Sequence, residues 1–580
     1  MSRFDTALCN IYFLILLVFS SISYSQSPKS EVRAVWISTA GGDWPKSTVM
    51  EEQQRSLIEM FDVLHNNHFN TIFFQVRPRG NTYYQSAVEP WSSQLTRVLG
   101  KDPGWDPLAF AIEEAHKRGM ELHAWFNVAK VWGGGDLPKH PQHIIQSHRD
   151  WVKRVDGEWW VDMGIPDART YTENLVKEIA QNYDIDGIQF DFLRYPNGKF
   201  DDWFSFSTWS DGMDRSEWRR KNITTFVRDC YTQLIHAKPW LKIGSAPVGI
   251  YHSINGAQSS FTGFESAFQE SRAWMRDSIQ DYVAPQLYWS LGEQHNPNDP
   301  DFAALCSDWI RESYGRHVYA GIGIYRDNVR RETKEQVETT RSLQAQGEAF
   351  FRYENLFSVM DQLGGVYQTP SLFPSMAWKD SIQPFAPTDI SVEISPTNIA
   401  IIHWKEPSPA SDSGKPFWYV VYRSQDQAVD TRKAENILAV VPASQHFYRD
   451  GTSNGKKYFY TVTSLDRCGN ESTNNEKSTA EVLLLLSRYS KPAVSVFLAQ
   501  NFPDPFKDTT FISFELGQRS MVTLSCKIVE TQKETVLVNE MKNPGLHIVA
   551  INGAQFPFGK IEVQVKAGDQ VVTKMAEKKE

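Results

Sequence analysis

The chain has 580 residues, with 60 Lys and Arg against 69 Asp and Glu and a formal net charge of −9 at pH 7. One core does not grow to that length, so two to four domains are expected. The acidic balance and the lack of a basic stripe argue against a nucleic-acid partner, while 13% aromatic content with 19 Trp suits ligands that offer flat apolar faces, as sugar rings do.

The first 25 residues read as a secretory signal peptide. Arg3 lies in a short polar start, Ile11 to Phe19 form an apolar run, and Ser23-Tyr24-Ser25 offers the cleavage positions. The run is too short to span a membrane, and no Cys follows it to carry a lipid. A secreted, periplasmic or cell-surface location is expected, with no integral span. Cys9 leaves with the signal, and Cys230, Cys306, Cys468 and Cys526 are too scattered for a zinc site or a disulfide framework.

From residue 31 to about 383, short apolar strands alternate with amphipathic helical segments. The predicted strands are 32–38, 71–76, 121–127, 187–192, 242–247, 282–289, 318–324 and 349–353. The predicted helices include 51–67, 107–118, 170–183, 217–236 and 333–346. Eight such strands indicate an α/β fold of the (β/α)8 TIM-barrel type. A doubly wound sheet would want a Gly-rich phosphate turn after the first strand, and Thr39-Ala40-Gly41-Gly42-Asp43-Trp44 is not one.

The fourth strand carries the strongest chemical signal. In Asp186-Gly187-Ile188-Gln189-Phe190-Asp191-Phe192-Leu193-Arg194-Tyr195-Pro196, the residues Ile188, Phe190 and Phe192 alternate with Gln189, Asp191 and Leu193. Asp186-Gly187 opens the strand and Pro196 stops it. A charged group in a sheet must be paired or face a cavity, and catalytic residues of such barrels sit at strand C-terminal ends. Asp191 is the first candidate for chemistry; the plainer reading is a buried Asp paired with Arg194.

Other predicted strand ends add polar and aromatic groups. The second ends in Val76-Arg77-Pro78-Arg79, the third in His123-Ala124-Trp125-Phe126-Asn127, and the sixth in Gln286-Leu287-Tyr288-Trp289. With Tyr84-Gln85-Ser86, Pro90-Trp91-Ser92, Asp106-Pro107-Leu108, Ala115-His116-Lys117-Arg118-Gly119 and the Asp186 to Asp191 run, these residues resemble the glycosyl hydrolase-like family 10 domain of bacteria. Asn81, where that family often has Asp, and Val128-Ala129-Lys130, where it often has Pro-Tyr-Arg, depart from the pattern. The resemblance implies a secreted or lipid-anchored barrel that hydrolyses glycan chains, notably peptidoglycan strands stripped of their peptides.

Glycoside hydrolysis needs two carboxyls, one protonated over the leaving oxygen and one ionised against the oxocarbenium-like centre. Asp191 fits the ionised role, with Arg194 expected to hold its pKa down. Glu293, in the loop after the sixth strand, is the favoured acid; Glu354, Asp201 and Asp202 are the other choices. Arg77, Trp125, Asn127, Arg194, Tyr288 and Trp289 are expected to contact substrate. The fourth-strand run also resembles the chitinase signature, but Leu193 stands where the acid Glu would be, so that substrate-assisted mechanism is not expected in its usual form. No metal or cofactor is expected: the pairs His65/His68 and His140/His143 have no acid or Cys joining them, and there is no Gly-x-Ser-x-Gly elbow.

Beyond residue 383 the helical period gives way to short strands. Ile401-Ile402-His403-Trp404, Tyr419-Val420-Val421-Tyr422 and Tyr458-Phe459-Tyr460-Thr461-Val462 resemble a fibronectin type III module, over 384–486. From 491 to 580 the chain is again all-β. Gln500-Asn501-Phe502-Pro503-Asp504-Pro505-Phe506 resembles the opening of the C-terminal sorting domain of type IX secretion cargo, which makes that machinery a candidate partner. The expected fold is thus a barrel followed by two all-β sandwiches. The leading function is a glycoside hydrolase acting on a polysaccharide; the alternative is a non-catalytic glycan-binding protein on a barrel scaffold.

Overall fold

The computed structural model describes residues 27–197, 199–292, 300–394, 399–451, 456–473, 480–483, 496–501, 504–517, 519–543 and 545–579. The expected signal peptide and Glu293 lie outside these residues.

Eight parallel strands close into a barrel: β1 (Val32–Ile37), β2 (Thr71–Arg77), β3 (Glu121–Asn127), β4 (Gly187–Asp191), β5 (Lys242–Ser245), β6 (Tyr282–Val283), β7 (His317–Ile322) and β8 (Gly347–Phe350). They follow one another round the ring in chain order, and β8 pairs back onto β1. Parallel strands are covered on both faces, so β1, β2 and β3 are buried at every position. Their alternation divides two layers. Ile37, Phe74, Phe126, Ile188 and Phe190 point out into the core shared with the helices, while Trp36, Phe73, Trp125, Tyr282 and Tyr319 fill the interior.

The helices follow from their local patterns. Met50–Asn66 buries Gln53, Leu57, Phe61 and Leu64, one stripe at helical spacing. In Pro107–Lys117, Asp106 caps the first turn by accepting from the Ala109 N–H at 2.9 Å, and Pro107 occupies the position where a missing N–H costs nothing. The sixth strand is shorter than the alternation predicts, because Pro285 has no N–H to donate to a ladder. Past it the chain is held by isolated bridges from Gln286 to Val248 and to Gly321.

After β3 the chain makes an excursion, a three-stranded antiparallel sheet of Lys130–Trp132, Glu158–Val161 and Val152–Val155. The other end of the barrel is closed by the segment after β8. There the Trp378 indole donates to Asp281 at 2.9 Å and Lys379 pairs with Asp281 at 3.0 Å.

The remaining sheets are antiparallel. Thr388–Ile394, Ala400–Lys405 and Phe447–Asp450 form one, and Ile437–Pro442, Trp418–Ser424, Lys457–Leu465 and Ala480–Leu483 form a second. They dock on the N-terminal end of the barrel. The Arg467 guanidinium pairs with Asp184 at 2.6 Å and stacks on Phe417 at 3.5 Å, and His116 meets Phe417 and Trp418 edge-on. Gly119, at φ +69°, lies so close that a Cβ there would fall 2.4 Å from the Val440 carbonyl. Two further sheets, one of three strands and one of four, fill 496–578 around their own core. Among the described residues no helix is long and apolar enough to cross a membrane.

Candidate active site

Asp191 is the last residue of β4 and is only 9% exposed. The register sets Asn127 opposite it and Trp125 opposite Gln189. The Trp125 indole therefore reaches Asp191 Oδ2, donating at 3.1 Å. Directly after the strand Phe192 turns to φ +48°, an uncommon backbone for a bulky residue, and its N–H folds back to donate to Asp191 Oδ1 at 2.7 Å. Burial pushes the Asp191 pKa up; the Phe192 N–H, Arg194, the Trp125 indole and the Lys130 ammonium pull it back without cancelling the rise. This corrects the expectation that Arg194 keeps the pKa below the usual range.

On one side of Asp191 stand two cations over aromatic rings. Arg194 lies 5.1 Å from the Trp160 ring, 5.3 Å from Phe192 and 5.4 Å from Phe261. Lys130 lies 4.8 Å from Phe192 and pairs with Glu158. Burial lowers the Arg194 pKa, and Asp191 and Glu158 oppose it. On the other side Tyr288 stacks on Phe351 at 5.6 Å and meets Tyr325 at 5.9 Å. The Tyr288 phenol is pushed up by burial and then by the nearby charge of Asp191.

Asp191, Trp125, Arg194 and Tyr288 thus come together at one end of the barrel. Asn127 lies beside Asp191 in the ladder; its Nδ2 donates to the Pro78 carbonyl at 2.8 Å, and its buried Oδ1 accepts nothing from the protein. Trp289 is half-buried against the core, its carbonyl accepting from Gln336 at 2.9 Å. Arg77 is a correction. A bulge between Gln75 and Arg77 shifts the β2 register, so that Arg77 pairs with the outward residue Phe126 and not with an inward one. Its guanidinium stacks on Phe126 at 4.8 Å, is fully buried, and donates to Glu89 at 2.7 and 2.6 Å and to the Asn127 carbonyl. It holds the strand ends together and has no face for substrate.

The candidate acids separate in the same way. Glu354 is exposed, pairs with Arg352, and donates its N–H to Asp43 at 2.9 Å. Asp201 is exposed. Asp202 is wholly buried between Arg215 and Arg219 and serves as a structural anchor. Glu158 was not anticipated. It lies across the excursion from Lys130, and the charged pair only forms once two strands distant in sequence meet. Among the described residues no group of three His, Cys, Asp or Glu is arranged to hold a metal; His143 instead caps a helix and contacts the Arg79 carbonyl at 2.9 Å.

The family model described as "Glycosyl hydrolase-like 10" matches residues 31–337. "Glycosyl hydrolase YngK" of Bacillus subtilis (strain 168) is 30% identical over 511 residues, covering 81% of this chain and 98% of its own. "Glycosyl hydrolase DigH" of Escherichia coli (strain K12) is 28% identical over 331 residues, covering 52% of this chain and 75% of its own. Among solved structures, the catalytic domain of β-amylase from Paenibacillus polymyxa aligns at 13% identity and a TM-score of 0.42 over 59% of this chain and 98% of that one, a likeness that carries no functional weight. The match to residues 31–337 spans the first seven barrel strands, with Trp125, Asp191, Arg194 and Tyr288, and the chain belongs to the glycosyl hydrolase-like 10 family.

Proposed function

We propose that this chain is a secreted glycoside hydrolase that cleaves O-glycosidic bonds within a polysaccharide, with peptide-free glycan strands of peptidoglycan as the first substrate to try. The observation that carries the reading is Asp191: a buried carboxylate at a strand C-terminal end, with N–H donors on both oxygens and aromatic rings around it. Donors on both oxygens favour the ionised form. An ionised carboxylate below the anomeric carbon can attack it or draw a proton from water, and either way it faces the positive charge that develops as the leaving oxygen departs. Trp125 and the Phe192 N–H fix its orientation, while Tyr288 and Phe351 offer ring faces for the sugar.

The second carboxyl must deliver a proton to the leaving oxygen. Glu293 keeps this role in the proposal, and Glu158, which shares the surroundings of Arg194 with Asp191, is the alternative. A carboxyl about 5–5.5 Å from Asp191 would give retention and one about 6.5–9.5 Å away inversion. The acid is assigned by leaving group: its Gln variant should slow substrates with poor leaving groups far more than activated ones. The whole assignment is tested by incubating the full chain with a glycan panel and reading products by mass. Binding without any product would favour the non-catalytic reading.

The proposal divides the chain into a signal peptide at 1–25, the barrel at 31–383, a fibronectin type III-like module at 384–486, and a sorting-like β-sandwich at 491–580 that would engage type IX secretion machinery. The two-sheet antiparallel arrangement of each C-terminal region is compatible with these identities.

A further inference from the structure

The loop after β4 carries a feature that the chemistry at Asp191 does not use. Helix Trp203–Trp209 leaves Trp203 at 65%, Phe204 at 67% and Trp209 at 37% exposure. Contiguous exposed rings of this kind mark binding surfaces. Phe204 meets Trp209 edge-on at 6.0 Å, and Trp203 leans on Phe206 at 6.3 Å.

The helix below the rings is firmly anchored. Buried Asp202 pairs with Arg215 and Arg219, the Ser205 hydroxyl donates to Asp162 at 2.6 Å, and the Trp218 indole donates to the Trp209 carbonyl at 3.1 Å. Polar groups fixed inside and rings left outside describe a rigid platform.

Its position continues the mouth. Asp162, which anchors the helix, directly follows the strand Glu158–Val161 that sets Glu158 and Trp160 beside Lys130 and Arg194. Three strands further round the ring, after β7, Tyr325 is 49% exposed. A chain lying from the platform to Tyr325 passes over the strand ends where Asp191 stands. The exposed charges flanking the helix in sequence are Asp201, Asp211 and Asp214 against Lys199, with Arg215, part-exposed and stacked on Phe206 at 5.6 Å, already paired to Asp202. Carboxylates suit sugar hydroxyls and oppose an anionic bilayer.

We propose that Trp203, Phe204 and Trp209 form a distal subsite that stacks on pyranose rings of a polymeric glycan whose scissile bond lies at Asp191; the ligand class rests on the glycoside-hydrolase reading above. The test uses the full chain carrying Asp191→Asn, so that binding is read apart from turnover. Retention on immobilised peptide-free peptidoglycan strands and on a set of neutral polysaccharides is compared with and without Trp203→Ala/Phe204→Ala. About tenfold weaker retention at an unchanged melting temperature is expected, with recovery in Trp203→Tyr/Phe204→Tyr, which keeps the rings. Unchanged retention in the Ala variant, or no retention of any glycan by the parent chain, overturns the proposal. So does a ring-dependent flotation with phosphatidylglycerol vesicles, or a dimer that only the Ala variant loses. Retention that depends on the rings, in a chain whose wild type yields no product, would uphold the subsite and remove the hydrolase reading instead.

Discussion

Asp186 and Asp191 stand five residues apart at opposite ends of one region of the barrel, both buried, and their surroundings drive them in opposite directions. Asp186 precedes β4 on the face where the β-sheets dock. It accepts from His116 at 2.8 Å and the Leu122 N–H at 2.9 Å, with Arg467 at 3.5 Å, and these cations and donors outweigh burial to bring its pKa down to about 2. Asp191 closes β4 on the mouth. Its cations stand back over aromatic rings, no salt bridge forms to it among the described residues, and burial prevails. One end of the strand uses its carboxylate to hold the docked β-sheets to the barrel; the other leaves its carboxylate without an ion-pair partner among the described residues.

The sharpest way to break this contrast is at the mouth. Asp191→Asn should lower hydrolysis by about 10²–10⁴, as loss of one proton-transfer group does. Since its pKa is raised in the fold, the ionised group costs stability above the unfolded pKa, so the variant should melt no lower than wild type at pH 7. A well-folded Asp191→Asn chain with near-normal turnover would remove the catalytic assignment.

Asp186→Asn should do the reverse, leaving turnover intact in the folded fraction and costing about 3–5 kcal/mol, the usual effect of breaking a buried pair. The sign in pH follows from both partners. Asp186 contributes above its unfolded pKa near 3.8 and the contribution is lost as pH falls toward about 2. His116, whose pKa is raised by Asp186, contributes fully below 6.5 and loses its share as pH rises through its folded value. Thermal melts from pH 2 to 9 should therefore show a wild-type plateau between these limits that Asp186→Asn flattens.

A smaller effect is expected at Arg194. Arg194→Met removes a cation that opposes the burial of Asp191, and the acidic limb of the pH–rate profile should move to higher pH. An unmoved limb would mean that Asp191 does not set it. Smallest of all, deleting the chain from Lys491 onward should leave turnover unchanged, while halting export if the sorting reading holds. Fractionation of cells expressing the truncated chain distinguishes the two.

How much of this was legible in the sequence follows from what is local. The barrel was, because short apolar strand runs alternate with helices that bury one stripe at helical spacing; the run around Asp191 announces both its faces within six residues. Arg77 was misread because one extra residue in a ladder, the bulge at Val76, leaves no trace in the alternation and yet turns the side chain to the other layer. Glu158 was missed because its partner, Lys130, lies 28 residues away. The predicted sixth strand ran too long because apolar alternation continues through Pro285, where the ladder loses a donor and breaks into isolated bridges.

The docking of the first β-sheets on the N-terminal end of the barrel has one further consequence. Arg467, Phe417 and Gly119 fix those sheets to the face opposite Asp191. Whatever grips this molecule through that side therefore holds it by the handle, with the working end turned outward. On the hydrolase proposal, a long glycan would cross the mouth without meeting those sheets, and a change in the sheets would leave the surroundings of Asp191 untouched.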